Sequence, residues 1–188
     1  MSPSGAPDTF TDVGDPVYLK LFDDLGHSLF RLETLQSYAV EYERREFEEF
    51  LRTGRLDRPA GDWQRMISRH TAAGRPLQRV HIVREPLTDY LRYELGWSYP
   101  PNVDVGEDIR ILPTQPGRWP ALPRHDYWLF DSSDLWVMEY AEDGAFRWIE
   151  QVDAPAVIVR HAYWRDAALH QAIPYRDYMR RAQLLAAS

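Results

Sequence analysis

In the run Gln78-Arg79-Val80-His81-Ile82-Val83 a cation and an imidazole alternate with aliphatic residues. A strand there puts Arg79 and His81 on one face and Val80 and Ile82 on the other. Polar groups on an internal strand need partners or a ligand. The guanidinium fork suits a carboxylate or phosphate, and Arg84 stands at the strand's end. His81, or His125 from a later strand start, is the residue to expect as a general acid or base if a reaction occurs. On the next helix, Thr88–Leu95, the apolar stripe of Leu87, Tyr90, Leu91 and Leu95 leaves Asp89, Arg92 and Tyr93 free to face a cleft. Tyr127 adds a phenol from the block DYWLFD. Arg79, His81, Arg84, Arg92, Tyr93 and Tyr127 are therefore the expected ligand-binding set. His81 and His125 are the catalytic candidates. Hydrogen-bonded structural roles compete for each of them.

Other signals are weaker. Asp104, Glu107 and Asp108 suit a hard cation or a solvated loop and strand start. Asp126, Asp131 and Asp134 flank strand ends, where Asp commonly forms turns. Tyr93, Trp97, Tyr99, Trp119, Tyr127 and Trp128 suit either a pocket lining or a core. The six histidines lack metal-ligand spacing. A metal site would have to assemble from distant parts of the chain, and neither metal nor cofactor is expected. There is no G-x-S-x-G, Gly-rich phosphate loop, H-E-x-x-H or EF-hand pattern.

The elements that must position these residues follow from periodicity and breakers. Residues 1–16, rich in Pro, Gly and Asp, are expected to be poorly ordered, leaving 17–188 as one domain. One short helix is expected within 17–34. A second spans 35–53, with Val40, Phe47, Phe50 and Leu51 inward, ending at Gly54. Asp62 caps a helix whose Trp63, Met66, Ile67 and His70 form a buried stripe. After the strand Leu77–Val83 and the helix ending at Gly96, Pro100 and Pro101 exclude regular structure. EDIRIL is a strand, and 113–123 is a Pro-rich loop. A meander follows: DYWLFD, DLWVMEY and AFRWIEQVD, with Leu129, Val137 and Ile149 inward and Asp143-Gly144 as a turn. Two helices close the chain on either side of Pro174. The expected fold is α+β, a mixed sheet of about five strands flanked by helices.

Composition limits the function classes. The net charge is −7 over 188 residues, which disfavours nonspecific nucleic-acid binding. Residues 51–84 are locally basic, through Arg52, Arg55, Arg58, Arg65, Arg69, Arg75, Arg79 and Arg84, and are expected to pair with acidic segments elsewhere. With no cysteine there is no disulfide, thiolate zinc site or cysteine nucleophile. The N-terminus lacks a signal-peptide pattern, and no apolar run reaches the roughly 20 residues that span a bilayer. A cytoplasmic protein with no membrane partner is expected. Lys20 is the only lysine beside 21 arginines, consistent with a GC-rich coding sequence.

The blocks RVHIVREPLTDYLRYEL, GEDIRIL, DYWLFD and RDAALHQAIPY resemble the DUF6879 family, over roughly residues 35–180. The resemblance implies an actinobacterial origin and frequent proximity to helix-turn-helix regulators; it supplies no catalytic residue. HDYWLFD before a further strand also resembles, more weakly, the half-domain of phospholipase D-like proteins. Their H-x-K-x-x-x-x-D motif is broken here, with Tyr127 at the Lys position and Ser132 at the Asp position. The expected function is a noncatalytic regulatory or adaptor domain that binds a small anionic ligand or a protein partner, such as a helix-turn-helix regulator. The alternative is a small enzyme of actinobacterial specialised metabolism with His81 or His125 as its acid–base residue.

Overall fold

A computed structural model describes residues 8–54 and 61–186. Its strands are β1 (Thr9–Phe10), β2 (Leu29–Glu33), β3 (Leu77–Arg84), β4 (Asp108–Thr114), β5 (Asp126–Phe130), β6 (Asp134–Tyr140), β7 (Phe146–Val152) and β8 (Ile173–Pro174). They form one sheet in the order β1-β7-β6-β5-β2-β3-β4-β8. The pairs β2/β3 and β3/β4 are parallel and the others antiparallel. The mixed α+β sheet is as expected, but it has eight strands rather than about five. The helices are α1 (Pro16–Asp23), α2 (Glu41–Thr53), α3 (Asp62–Ala72), α4 (Asp89–Tyr93), α5 (Tyr99–Asp104), α6 (Pro155–Gln171) and α7 (Tyr175–Ala186). Among the described residues, no helix is long and apolar enough to cross a membrane.

Alternation along the strands separates two apolar layers. On one face Leu29, Leu77, Trp128, Phe130, Trp136 and Ile149 pack against Tyr18 and Phe22 of α1 and Met66 and Ile67 of α3. On the other, Phe30, Leu32, Val80, Ile82, Leu129 and Leu135 pack against α6 around Ala168. Each large side chain so buried contributes roughly 1.5–3 kcal/mol. Val137 is only half-buried, while Leu129 and Ile149 are fully inside as expected.

Four local expectations need correction. The segment 17–34 holds the one short helix expected and also a strand that was not. Asp15 accepts from the backbone of Val17 and Tyr18 and starts α1, but Leu29–Glu33 is a central strand whose five residues are all buried. Burial on both faces leaves no polar outer side to mark a strand. The helix expected from 35 begins only at Glu41, and Leu51 faces solvent. Gly96 does not end α4: the chain continues through a π-helical turn, Glu94–Ser98, into α5. Pro100 and Pro101 lie in the first turn of α5, where a missing N–H costs little. Residues 1–7 of the N-terminal segment lie outside the described residues; within the remainder, Thr9–Phe10 pair with β7.

Candidate functional site

The α1/α3 face of the sheet carries charge at its centre. β2 presents Arg31 and Glu33, the neighbouring β3 presents Arg79 and His81, and β5 on the other side presents Asp126. All five are buried. Helix α4, the π turn, α5 and the connection after β2 cover them, adding Tyr38, Glu94 and Tyr99; Glu107 comes from just before β4.

The groups form two linked ion-pair systems. Arg79 Nη1 donates to Glu33 Oε1 at 2.6 Å and its Nε to Glu107 Oε1 at 2.8 Å. Arg31 Nη2 donates to Asp126 Oδ2 at 2.9 Å, and its Nε lies 3.5 Å from Glu33 Oε1. Asp126 also accepts from the Thr34 backbone N–H and hydroxyl, both at 2.8 Å, and from the Tyr38 hydroxyl at 2.7 Å. Both guanidiniums thus crowd Glu33 Oε1 and leave Oε2 facing Tyr99, whose hydroxyl donates to it at 2.7 Å.

His81 sits on the far side of that hydroxyl, with no exposed surface (0%). Its Nε2 is 2.8 Å from the Leu35 carbonyl, which can only accept, so Nε2 carries the hydrogen. Nδ1 then points at Tyr99 Oη, 2.7 Å away, with Glu94 Oε2 at 3.4 Å and Glu33 Oε2 at 3.7 Å. One phenolic proton therefore stands between two acceptors, Nδ1 and Glu33 Oε2.

The environment splits the carboxyl groups. Burial alone would raise Glu33, but Arg79 and then Arg31 outweigh it and hold it at about 2. Glu94 goes the other way: burial, then the Glu33 and Glu43 charges, push it well above the carboxylate range. Burial raises Asp126 and Glu107 against the opposing pull of Arg31 and Arg79 respectively. Burial also lowers His81, with Glu33 resisting.

Of the residues expected to bind a ligand, the structure brings only Arg79 and His81 together here. Arg79 is neutralised by two carboxylates. Arg92 points outward, its side chain 61% exposed, against Asp89 of its own helix, because the helix buries the opposite side. Tyr93, expected off the apolar stripe, is buried beside Phe47 and Phe50 and donates to Glu46. Arg84 is exposed at the end of β3. Tyr127 lies on the opposite face, its hydroxyl donating to the His161 carbonyl. His125 is not opposite His81; its Nε2 is 3.0 Å from Nε2 of His161 on α6. Arg31, Glu33, Glu94 and Asp126 were not singled out as a site. Arg31 and Glu33 alternate in Leu29-Phe30-Arg31-Leu32-Glu33 as Arg79 and His81 do in β3, and that was the available signal.

Beside this network lies an open cleft of about 380 Å³. Its walls are Leu35–Ser37, the start of β5 at Arg124–Asp126, the end of β6, and the turn Ala141–Gly144. Asp126, Met138 and Tyr140 belong to both the cleft and the network. Gln36 anchors one wall to β3, donating to the Ile82 carbonyl at 2.8 Å and accepting from the Arg84 N–H at 2.5 Å. Gly144, with φ of +84°, closes the other wall: its carbonyl accepts from Ala39, and a Cβ there would lie 2.6 Å from the Ser37 carbonyl oxygen.

No curated protein matches the chain. Among solved structures, NucT from Helicobacter pylori is similar at 10% identity and a TM-score of 0.49, over 89% of this chain and 98% of its own. TrmBL2, an archaeal chromatin protein, is similar at 7% identity and a TM-score of 0.49, over 90% of this chain and 55% of its own. Residues 18–180 match DUF6879, a domain of unknown function, and the chain belongs to that family.

Proposed function

We propose that this protein is a noncatalytic regulatory domain that takes a small polar ligand in the cleft beside Asp126. The observation that carries this is the cleft's position. It opens beyond the carboxyl end of β2, where the neighbouring parallel strand β3 also ends and the antiparallel strand β5 begins. Open sheets with parallel strands bind ligands outside those carboxyl ends, and the volume falls within the ordinary range of about 300–1,000 Å³.

The wall chemistry indicates the ligand class. Glu139, Glu142 and Asp143 line the cleft, as do Arg124, His125 and Asp126, the last already paired with Arg31. Three carboxylates against one guanidinium favour a ligand bearing an amine or guanidine. An anionic ligand was expected on the strength of Arg79 and Arg92; the first is engaged internally and the second points away. A binding role fits better than a catalytic one because His81 has no exposed surface and His125 is held by His161.

The test is a thermal-shift and calorimetric panel of arginine, agmatine and spermidine against citrate and inorganic phosphate. The amines should raise the melting temperature, and Glu139→Gln should weaken their binding about tenfold, the loss of roughly 1.4 kcal/mol. Stabilisation by the anions alone, or by none of the panel, overturns the reading.

A further inference from the structure

We propose that Glu33, His81 and Glu94 form a binding site for one divalent transition cation of the zinc or manganese type. The three residues come from β2, β3 and the π turn, far apart in sequence. Their ligand atoms all lie within 4.8 Å of one another, the one such grouping among the described residues. The measured separations from His81 Nδ1, 3.4 Å to Glu94 Oε2 and 3.7 Å to Glu33 Oε2, approach the edge of a tetrahedron with bonds of about 2.0–2.2 Å, which is roughly 3.4 Å.

Three independent features point inward to the same place. Glu94 is only 6% exposed, and its Oε2 has no hydrogen-bond partner among the described residues. A buried acceptor left in that state is costly. The imidazole is already oriented as a ligand. Its Nε2–H is held by the Leu35 carbonyl, the backbone contact that commonly fixes a metal-binding histidine, and Nδ1 keeps its lone pair, with the Tyr99 hydroxyl as its neighbour. Finally, the π-helical turn sets the geometry. It begins at Glu94 and is followed at once by Tyr99, and such turns are frequent at functional sites.

Charge supports the assignment. The buried network holds four carboxyl groups, Glu33, Glu94, Glu107 and Asp126, and two guanidiniums, Arg31 and Arg79. Once Glu94 ionises on binding a cation, four carboxylates face two guanidiniums, and a single dication supplies the two missing positive charges. Because the arginines take Glu33 Oε1, a cation at Oε2 breaks neither ion pair and displaces only the hydrogen bond from Tyr99. Two carboxylates and one imidazole favour zinc, manganese or iron over magnesium or calcium, which prefer all-oxygen shells. Tyr99 lies close enough to serve as a hydrogen-bonding neighbour of the bound carboxylate.

This inference is independent of the cleft ligand, and its test uses other probes. The full-length protein, stripped with chelator, is titrated with Zn²⁺ and Mn²⁺ by calorimetry and with Co²⁺ by absorption spectroscopy. The expected result is one equivalent bound, a raised melting temperature and a cobalt spectrum of low-coordinate oxygen and nitrogen ligation. Glu94→Gln, nearly isosteric, should weaken binding at least tenfold while the metal-free far-ultraviolet spectrum is unchanged. His161→Gln, which alters the other histidine pair, should leave binding intact. If Glu94→Gln does not fold, the cobalt spectrum and stoichiometry of the wild type still decide. The proposal is overturned if no cation binds up to millimolar concentration, if the cobalt spectrum is that of the free aquo ion, or if a folded Glu94→Gln binds as the wild type does.

Discussion

Removing Asp126 should be far more damaging than removing its partner Arg31, and the structure gives the reason. Asp126 is fully buried and accepts from Arg31, the Thr34 backbone, the Thr34 hydroxyl and Tyr38. In Asp126→Ala a buried guanidinium is left with Glu33 at 3.5 Å and the Tyr140 hydroxyl at 3.1 Å, and the Thr34 N–H loses its acceptor. Breaking a buried pair costs about 3–5 kcal/mol, and an orphaned buried donor adds about 1–3 kcal/mol. The expected loss is therefore about 4–8 kcal/mol, a large part of the roughly 5–15 kcal/mol that holds a domain together. In Arg31→Met the carboxylate keeps three neutral donors, so the expected loss is only about 2–3 kcal/mol. The double variant should be more stable than the sum of the singles by at least about 2 kcal/mol, because neither charge is left stranded. Urea denaturation followed by tryptophan fluorescence and circular dichroism measures all three. A folded Asp126→Ala within about 1 kcal/mol of wild type, or additivity within about 0.5 kcal/mol, would show that the pair is not the electrostatic unit described.

Other consequences follow from single contacts. Burial lowers His161 and His125, with Arg160 and Glu139 as the nearby charges. Their folded values therefore lie below the unfolded value of about 6.5; their contribution is complete above that pH and is lost as the pH falls below it. The melting temperature should drop between about pH 7.5 and about pH 5.5, and less steeply in His161→Gln; equal slopes would remove the pair from the account. Gly144→Ala forces a Cβ to 2.6 Å from the Ser37 oxygen at positive φ. It should destabilise by about 1–3 kcal/mol and weaken cleft binding of agmatine; unchanged melting would mean that this wall yields freely. Arg69 pairs with Asp23, and Arg75 donates to the Gly26 carbonyl. Duplex DNA should accordingly bind no tighter than about micromolar near physiological salt, and submicromolar binding with a steep salt dependence in anisotropy titrations contradicts this.

What was legible in the sequence depended on whether local pattern or distant partners decided it. The alternation in β3 put Arg79 and His81 on one face, opposite Val80 and Ile82, and the structure keeps that division. The stripe Trp63, Met66, Ile67 and His70 likewise lies inward on α3, although Gly61 rather than Asp62 caps it. The meander was readable because its turns carry their own signals: Asp143-Gly144, and Asp131 with Ser132, both at positive φ. β2 was not, since its five residues are too short a run for the alternation of Arg31 and Glu33 to stand out, and burial on both faces leaves no polar outer side. Nor were the partners. Glu33 meets Arg79 across 46 residues and Asp126 meets Arg31 across 95, so the local sequence names neither partner. Asp126 looked like a turn former at a strand end, and the fold instead placed it under Tyr38. Glu94 escaped because a 3.6-residue period cannot foresee a π turn, and Tyr99 was read only as a pocket or core aromatic.

The buried charges are not explained by stability alone. A buried ion pair commonly contributes no more than apolar residues of the same volume. This sheet face shows the apolar option in use: a few residues away Trp128, Phe130 and Trp136 fill the same layer against α1 and α3. Where β2 and β3 run side by side, Arg31 registers with Arg79 and Glu33 with His81. Two guanidiniums on adjacent strands repel unless carboxylates are interposed, so the two arginines require Glu33 and Asp126. Such a set selects one register, because a one-residue slip of either strand would turn its two charges into the α6 layer among Leu32, Val80 and Ile82. Register alone would be satisfied by Arg31, Arg79, Glu33 and Asp126. It does not require a neutral imidazole whose Nδ1 shares a phenolic proton with Glu33, or a carboxyl on a π turn whose Oε2 has no hydrogen-bond partner among the described residues. Those two groups are the surplus over structural need, and they point at one another.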